Sequence, residues 1–331
     1  MDIEFHYYVN YVIALKAGFT SKQADIIATA AQLVDDNIEV NLIENTKGEV
    51  YKSYISQTAN ILRPKDELFR IYPIFHFVPG DPFCFSAQRK DGLMHILNTT
   101  PDNENARLLI EKALASNNLY RIGIASHAYC DSWAHQNFIG YYSYFNGLSG
   151  VLEKAIPNIG HADAKHKPDL VSKVWVDERL SSDNEVVDNN KRFIKAASKL
   201  LDYYAKYNKK EIKDKEKFLH KLNEIFSIKG NKDYHYEKRI RKYNKISKKL
   251  SGNVTKDYKK YEWFEFSVDV CHNESIFLPQ LNYNEINYKW KNIDYQNSPY
   301  YLFCEAIKAH QKAGEEIFKD DKYVHLELNS W

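Results

Sequence analysis

His127-Ala128-Tyr129-Cys130-Asp131-Ser132-Trp133-Ala134-His135 sets two imidazoles and a carboxylate at four-residue intervals. A four-residue step along an α-helix turns the side chain by only about 40°. His127, Asp131 and His135 therefore share one face of a helix predicted from Leu119 to about Phe138. Two imidazoles and a carboxylate converging from one helix suit a divalent metal, with zinc the first choice. No thiolate partner is on offer, which favours a catalytic site over a closed structural one. Cys130 points off this face and reads as a packing residue.

Working outward, further ligand types lie in the first half of the chain. His6 opens the first helix, Asp35 and Asp36 close the second, and His76 precedes a Pro79-Gly80-Asp81 turn. His161 shares a loop with Asp163 and His166. One zinc takes about four ligands, so this set is enough for up to three ions, with Asp131 placed to bridge two. Metals about 3.5–4 Å apart generate hydroxide and hold both oxygens of an in-line phosphoryl displacement. The expected chemistry is hydrolysis of phosphoric esters, with Asp131, His127 and His135 as the catalytic residues. The plain alternative at each position is a hydrogen-bonded core or capping residue.

Composition bounds the rest. The chain has 331 residues, 44% hydrophobic and 27% charged, and only 12 Gly and 9 Pro, which argues against a turn-rich all-β protein. Cys84, Cys130, Cys271 and Cys304 form no CxxC pair, so neither a disulfide framework nor a thiolate zinc site is expected. The first ten residues carry Asp2 and Glu4 where a signal peptide needs positive charge. No run of apolar residues is long enough to span a membrane. A cytoplasmic protein, or one exported without a cleaved signal, is the expectation.

Thr20 and Gln23 form a capping-box pattern for a helix through Val34. Residues 38–55 alternate around Asn45-Thr46-Lys47-Gly48 and predict a β-hairpin. Phe69 to Phe77 reads as an extended segment, Thr100-Pro101 as a helix start, and Asn189 to Tyr207 as a helix. Residues 209–250 hold 15 Lys/Arg against 6 Asp/Glu, whereas the rest of the chain holds 31 against 38. Phe218, Leu219, Leu222 and Ile225 keep a helical period there. A mostly α fold follows: a multi-helix bundle with a small hairpin and an inserted basic helical segment. The domains predicted are a metal-binding core at 1–207, a basic insertion at 208–257, and an aromatic-rich segment with a C-terminal helix at 258–331.

The order His6, Asp35-Asp36, His76, HxxxDxxxH and His161 resembles the zinc-dependent phospholipase C and single-strand nuclease superfamily. A closer likeness is to an uncharacterised bacterial family that shows MDIEFHYY, AGF, QLVDD, HAYCDSWAHQNF and GHADAKHKPD as they stand here, over roughly residues 1–175. The resemblance implies a mostly helical fold with a zinc cluster that cleaves phosphodiesters. Carried over residue by residue, His6 binds one zinc with an N-terminal group, which Asp2 or nothing replaces here. Asp35 or Asp36 with His76, His127 and Asp131 binds another, and His135 with His161 a third. Lys165 stands where the resemblance places a carboxylate, which leaves Asp163, His166 or Asp169 to complete that set.

The function expected is zinc-dependent phosphodiester hydrolysis by metal-activated hydroxide, phospholipase C-like, with one to three zinc ions. A single-strand nuclease is the alternative, as is a non-catalytic, metal-stabilised, partner-binding or toxin-like module. The basic residues 209–250 suit contact with an anionic surface.

Overall fold

Thr20 and Gln23 close the capping box expected of them. The Thr20 hydroxyl accepts from the Gln23 amide at 3.3 Å, and the Gln23 side chain accepts from the Thr20 amide at 2.9 Å. The computed structural model describes residues 1–58, 67–148, 158–229, 237–270, 288–319 and Tyr323. Within them the chain is mostly α-helical. A π-helix, Glu4–Val9, runs into α1 (Asn10–Lys16), which is followed by α2 (Ser21–Asp36). The predicted hairpin is present as β1 (Leu42–Glu44) and β2 (Val50–Lys52), paired antiparallel around Asn45 and a left-handed Gly48.

Residues 69–77, read as extended, are instead mostly helical, in α3 (Glu67–Phe75) with Pro73 inside it. A short apolar run looks alike in a buried strand and a buried helix. Here Ile71, Tyr72, Ile74 and Phe75 are all buried, and Pro73 inside so short a run argues against a helix. The next helix, α4 (Glu104–Ala115), starts later than Thr100-Pro101, because the Asn103 side chain caps it by accepting from the Ala106 amide. The metal-motif helix α5 (Leu119–Ala134) ends one residue before His135. The Asn118 side chain caps its start.

Two short antiparallel pairs follow, β3 (Tyr142–Ser143) with β4 (Asn158–Ile159) and β5 (Val174–Val176) with β6 (Val186–Asp188). Then come α6 (Asn189–Tyr207), α7 (Lys215–Phe226), α8 (Glu237–Ser251) and α9 (Glu262–Ser267). Strands β7 (Val268–Val270) and β8 (Tyr288–Trp290) precede α10 (Pro299–Ile317). The hairpin does not stand alone. It joins these strands in a four-stranded sheet of order β2-β1-β8-β7, with β1 and β8 parallel. That pairing links positions about 245 residues apart, a separation no local pattern encodes.

The centre of the molecule is α5, packed against α2, α4, α6 and α10. Every residue from Ile122 to Ala134 is buried, as expected of a helix enclosed on all sides. The closest approach is at Gly123, where an added Cβ would lie 2.4 Å from the Ile27 carbonyl and 2.7 Å from Ala30 Cβ. The basic segment, expected as an insertion, packs into this same core. Phe218, Leu222, Phe226 and Tyr243 join Phe5, Phe193 and Phe303 in one apolar cluster. Helix α8 is tied down by Arg239, which donates to both Glu4 oxygens at 2.7 Å while the Tyr243 hydroxyl donates to one of them. Among the described residues no helix is long and apolar enough to cross a membrane. Cys84, Cys130 and Cys304 carry free thiols, and Cys271 lies outside the described residues.

Candidate metal centre

The residues singled out on α5 converge with others from four parts of the chain. His6 comes from the π-helix, Asp35 from the last turn of α2, His76 from just beyond α3, and His161 and Asp169 from the loop after β4. Three groups of ligand atoms form: His6, His127 and Asp131; Asp35, His76 and His127; His135, His161 and Asp169. His135, although it caps the helix, keeps its amide bonded to the Asp131 carbonyl at 2.8 Å and stays on the shared face.

Backbone carbonyls set the imidazole tautomers. A carbonyl oxygen only accepts, so the ring nitrogen facing it carries the proton. His127 Nδ1–H donates to the Ala31 carbonyl (2.8 Å) and His76 Nε2–H to the Ser56 carbonyl (2.9 Å). His135 Nδ1–H donates to the His76 carbonyl and His161 Nδ1–H to the Lys165 carbonyl, both at 2.9 Å. Whenever such a ring is neutral, its remaining nitrogen is a bare lone pair aimed into the cluster. His127 Nε2 and His76 Nδ1 face each other at 3.1 Å. His127 Nε2 is 3.0 Å from Asp131 Oδ2 and 3.6 Å from Asp35 Oδ1. His135 Nε2 and His161 Nε2 face the two Asp169 oxygens at 3.1 and 3.4 Å.

Lone pairs directed at lone pairs and at carboxylates repel unless a proton or a metal cation lies between them. A tetrahedral zinc with bonds of about 2.0–2.1 Å holds its ligand atoms about 3.3 Å apart. The separations above bracket that value, so the residues fit the ion. The histidine–carbonyl bonds also supply the outer hydrogen bonds that metal-binding imidazoles make.

The electrostatics favour the metal-binding form at Asp131, Asp169, His6 and His135 and oppose it at Asp35 and His127. Burial works to raise the Asp131 carboxyl, yet His135, the Met1 amino group, His127 and His6 hold it well below the usual range. The Asp169 carboxyl is likewise held low, against burial, by His161, the Met1 amino group and His135. Burial pushes His6 and His135 down, toward the neutral form a metal requires. Burial also raises Asp35. Against burial, Asp131 and Asp35 raise His127. The group from this end of the chain that meets Asp131, the carboxylate facing His6, is the Met1 amino group and not Asp2. It bonds Asp131, lies 3.3 Å from Asp169, and is pushed up to about 11 by those carboxylates and Asp35, against burial.

Two of the alternatives left open by the sequence separate clearly. Asp35 faces the cluster, while Asp36 turns away to accept from the Tyr258 hydroxyl (2.8 Å) and the Gln32 amide (3.3 Å). Asp169 completes the third group, while Asp163 accepts from the Leu148 amide. His166 lines the neighbouring cavity without joining a group. Asp2 caps the Glu4 amide at 3.1 Å, and burial and Glu4 push its carboxyl up to about 8. Sequence reasoning missed the carbonyls of Ala31, Ser56 and Lys165, since a backbone acceptor has no residue signature.

The cluster has a sealed pole and an open one. His6, His127 and Asp131 are at most 1% exposed, whereas Asp35 is 29%, His161 21% and Asp169 13% exposed. The open pole faces a cavity of about 490 Å³ whose apolar wall includes Ile3, Tyr72, Phe77, Ile159 and Leu170. Phe77 also stacks on His135 at 4.5 Å. Gly160, at a φ of +52°, lets the His161 loop close on Phe77, whose Cζ would meet an added Cβ at 2.4 Å.

These features define a mostly α-helical protein with a buried histidine–carboxylate cluster opening on a half-apolar cavity. Over residues 1–317 the chain matches DUF6765, a family of unknown function, and it belongs to that family. The match runs well past residues 1–175 and takes in the basic segment. No curated protein and no solved structure matches the chain.

Proposed function

We propose that the cluster binds zinc and that the protein hydrolyses phosphodiesters, as a phospholipase C-like enzyme. The observation that carries this reading is the pair of bare nitrogens on His76 and His127, 3.1 Å apart with Asp131 and Asp35 beside them. His127 Nε2 has one lone pair, so it serves one of its two groups and not both. The assignment that uses every ligand is His6 with Asp131; Asp35, His76 and His127 with Asp131; and His135, His161 and Asp169. Zinc held there supplies a Lewis acid and an acidified water. Asp131 joins two of these sets through its separate oxygens, since Oδ1 faces His6 and Oδ2 faces His76 and His127. Asp131, His127 and His135 are the residues on which turnover depends in this reading. The apolar wall favours a phospholipid, with its ester-linked glycerol against Ile3, Ile159 and Leu170. A single-strand nuclease is the second reading, and the same assays separate the two.

The test is metal content of the purified chain by elemental mass spectrometry, before and after chelation and zinc re-addition, followed by assays on phospholipid and single-stranded DNA. Two or three zinc per chain with metal-dependent cleavage is the expected result. A folded chain that takes up no zinc overturns the proposal.

A further inference from the structure

Helices α7 and α8 enclose a groove that neither the core nor the metal cluster accounts for. It is a cavity of about 340 Å³, lined by Lys217 and Lys221 on α7, Lys245 and Lys249 on α8, and Lys16 on α1. Each helical pair is spaced i, i+4, so both lysines of a pair face the groove. The one carboxylate lining it, Asp214, is paired with Lys16. Lys217, Lys221, Lys245 and Lys249 are exposed and have no ion pair among the described residues. Four like charges thus converge on one concavity. The floor is apolar, made of Phe218, Ile246 and Leu250, of which Leu250 is 39% exposed.

We propose that this groove binds the phosphate headgroup of an anionic phospholipid and so docks the protein on an anionic membrane surface. The charge calls for a phosphate, because four unpaired ammonium groups attract an anion and steer it in. The floor calls for a lipid rather than a nucleic acid. Nucleic-acid grooves present exposed rings for bases to stack on, and the single ring here, Phe218, is buried with the Lys16 ammonium 5.7 Å from its centre. Leu250 at the rim matches the glycerol and upper acyl region. Docking does not require turnover, so the proposal stands apart from the hydrolase reading.

The experiment is co-sedimentation of the full zinc-treated chain with vesicles of phosphatidylcholine alone or mixed with phosphatidylglycerol, at low and high salt. The chain carrying Asp131→Ala is run alongside, so that capture at the metal cluster is separated from capture at the groove. Binding to the mixed vesicles at low salt, lost at high salt and kept in Asp131→Ala, is the expected result. The combined Lys217→Gln, Lys221→Gln, Lys245→Gln and Lys249→Gln variant should lose binding by about fivefold per lysine removed. Its circular dichroism should be unchanged, because these side chains are exposed. Inorganic phosphate and a soluble short-chain phosphatidylglycerol, titrated separately, distinguish the sources of the phosphate. Tighter binding of the lipid, reduced by Leu250→Asp, supports membrane docking. Equal binding of the two overturns it in favour of a free-phosphate site. Undiminished vesicle binding by the four-lysine variant, equal binding to neutral vesicles, or preference for a single-stranded oligonucleotide each overturns the proposal.

Discussion

Asp131 is buried with both oxygens engaged, Oδ1 toward His6 and the Met1 amino group and Oδ2 toward His76 and His127. Asp131→Ala therefore removes a charge from two ligand sets at once. We expect activity to fall by at least about a thousandfold and zinc content to drop, with far-ultraviolet circular dichroism preserving the helices. Full activity in that variant would end the catalytic assignment. His310 illustrates a different buried imidazole. It packs beside Phe75 with Nε2 3.3 Å from the Ile74 carbonyl, and burial pushes it down to about 3. In the unfolded chain it titrates near 6.5, so the folded state binds fewer protons between those values. Its contribution to stability is complete above about 6.5 and is lost as pH falls toward 3. His310→Gln should thus flatten the acid limb of stability, by about 2 kcal/mol between neutral pH and pH 5. Urea melts across that range check it, and an unchanged slope would refute it.

At the scale of elements, the site depends on how closely α2 lies on α5. Gly123 permits that approach, and α2 carries both Asp35 and the Ala31 carbonyl that orients His127. Gly123→Ala should cost about 1–3 kcal/mol through overpacking. By shifting the outer hydrogen bond of His127, it should also weaken zinc binding by about 10–100-fold. Chelator competition measures the second effect, and zinc affinity unchanged alongside lost stability would separate the packing from the site. The same contact explains what could be read in advance. HxxxDxxxH was legible because a helix repeats its face every four residues. Asp35 and Asp36 differ by about 100° around α2, and the packing on α5 alone decides which one faces inward. The third carboxylate sits on a loop whose turns carry no period, so Asp163, His166 and Asp169 stayed equivalent until the fold placed Asp169 between His135 and His161. For α3 the sequence misled, since Pro73 inside a short apolar run argues against the helix that forms there.

Across the whole molecule, the basic segment belongs to the core, which its charge had concealed. Among the described residues its lysines are exposed, Lys215 only in part, while Phe218, Leu222, Phe226 and Tyr243 are buried. Arg239→Met would leave Glu4 buried without its cation, and the expected cost is about 3–5 kcal/mol. Pairing it with Glu4→Gln should recover most of that loss. Denaturant midpoints for the single and double variants test this, and additive losses would contradict it. Excising residues 209–250 should prevent folding and so cannot serve as a probe of function. The Glu4–Arg239 pair spans 235 positions, and protein synthesis is directional. Glu4 leaves the ribosome long before the guanidinium that neutralises it exists. The π-helix bearing His6 thus stays unfinished until more than two thirds of the chain has been made, and the zinc proposed for the sealed pole would be taken up only in the last stages of biogenesis.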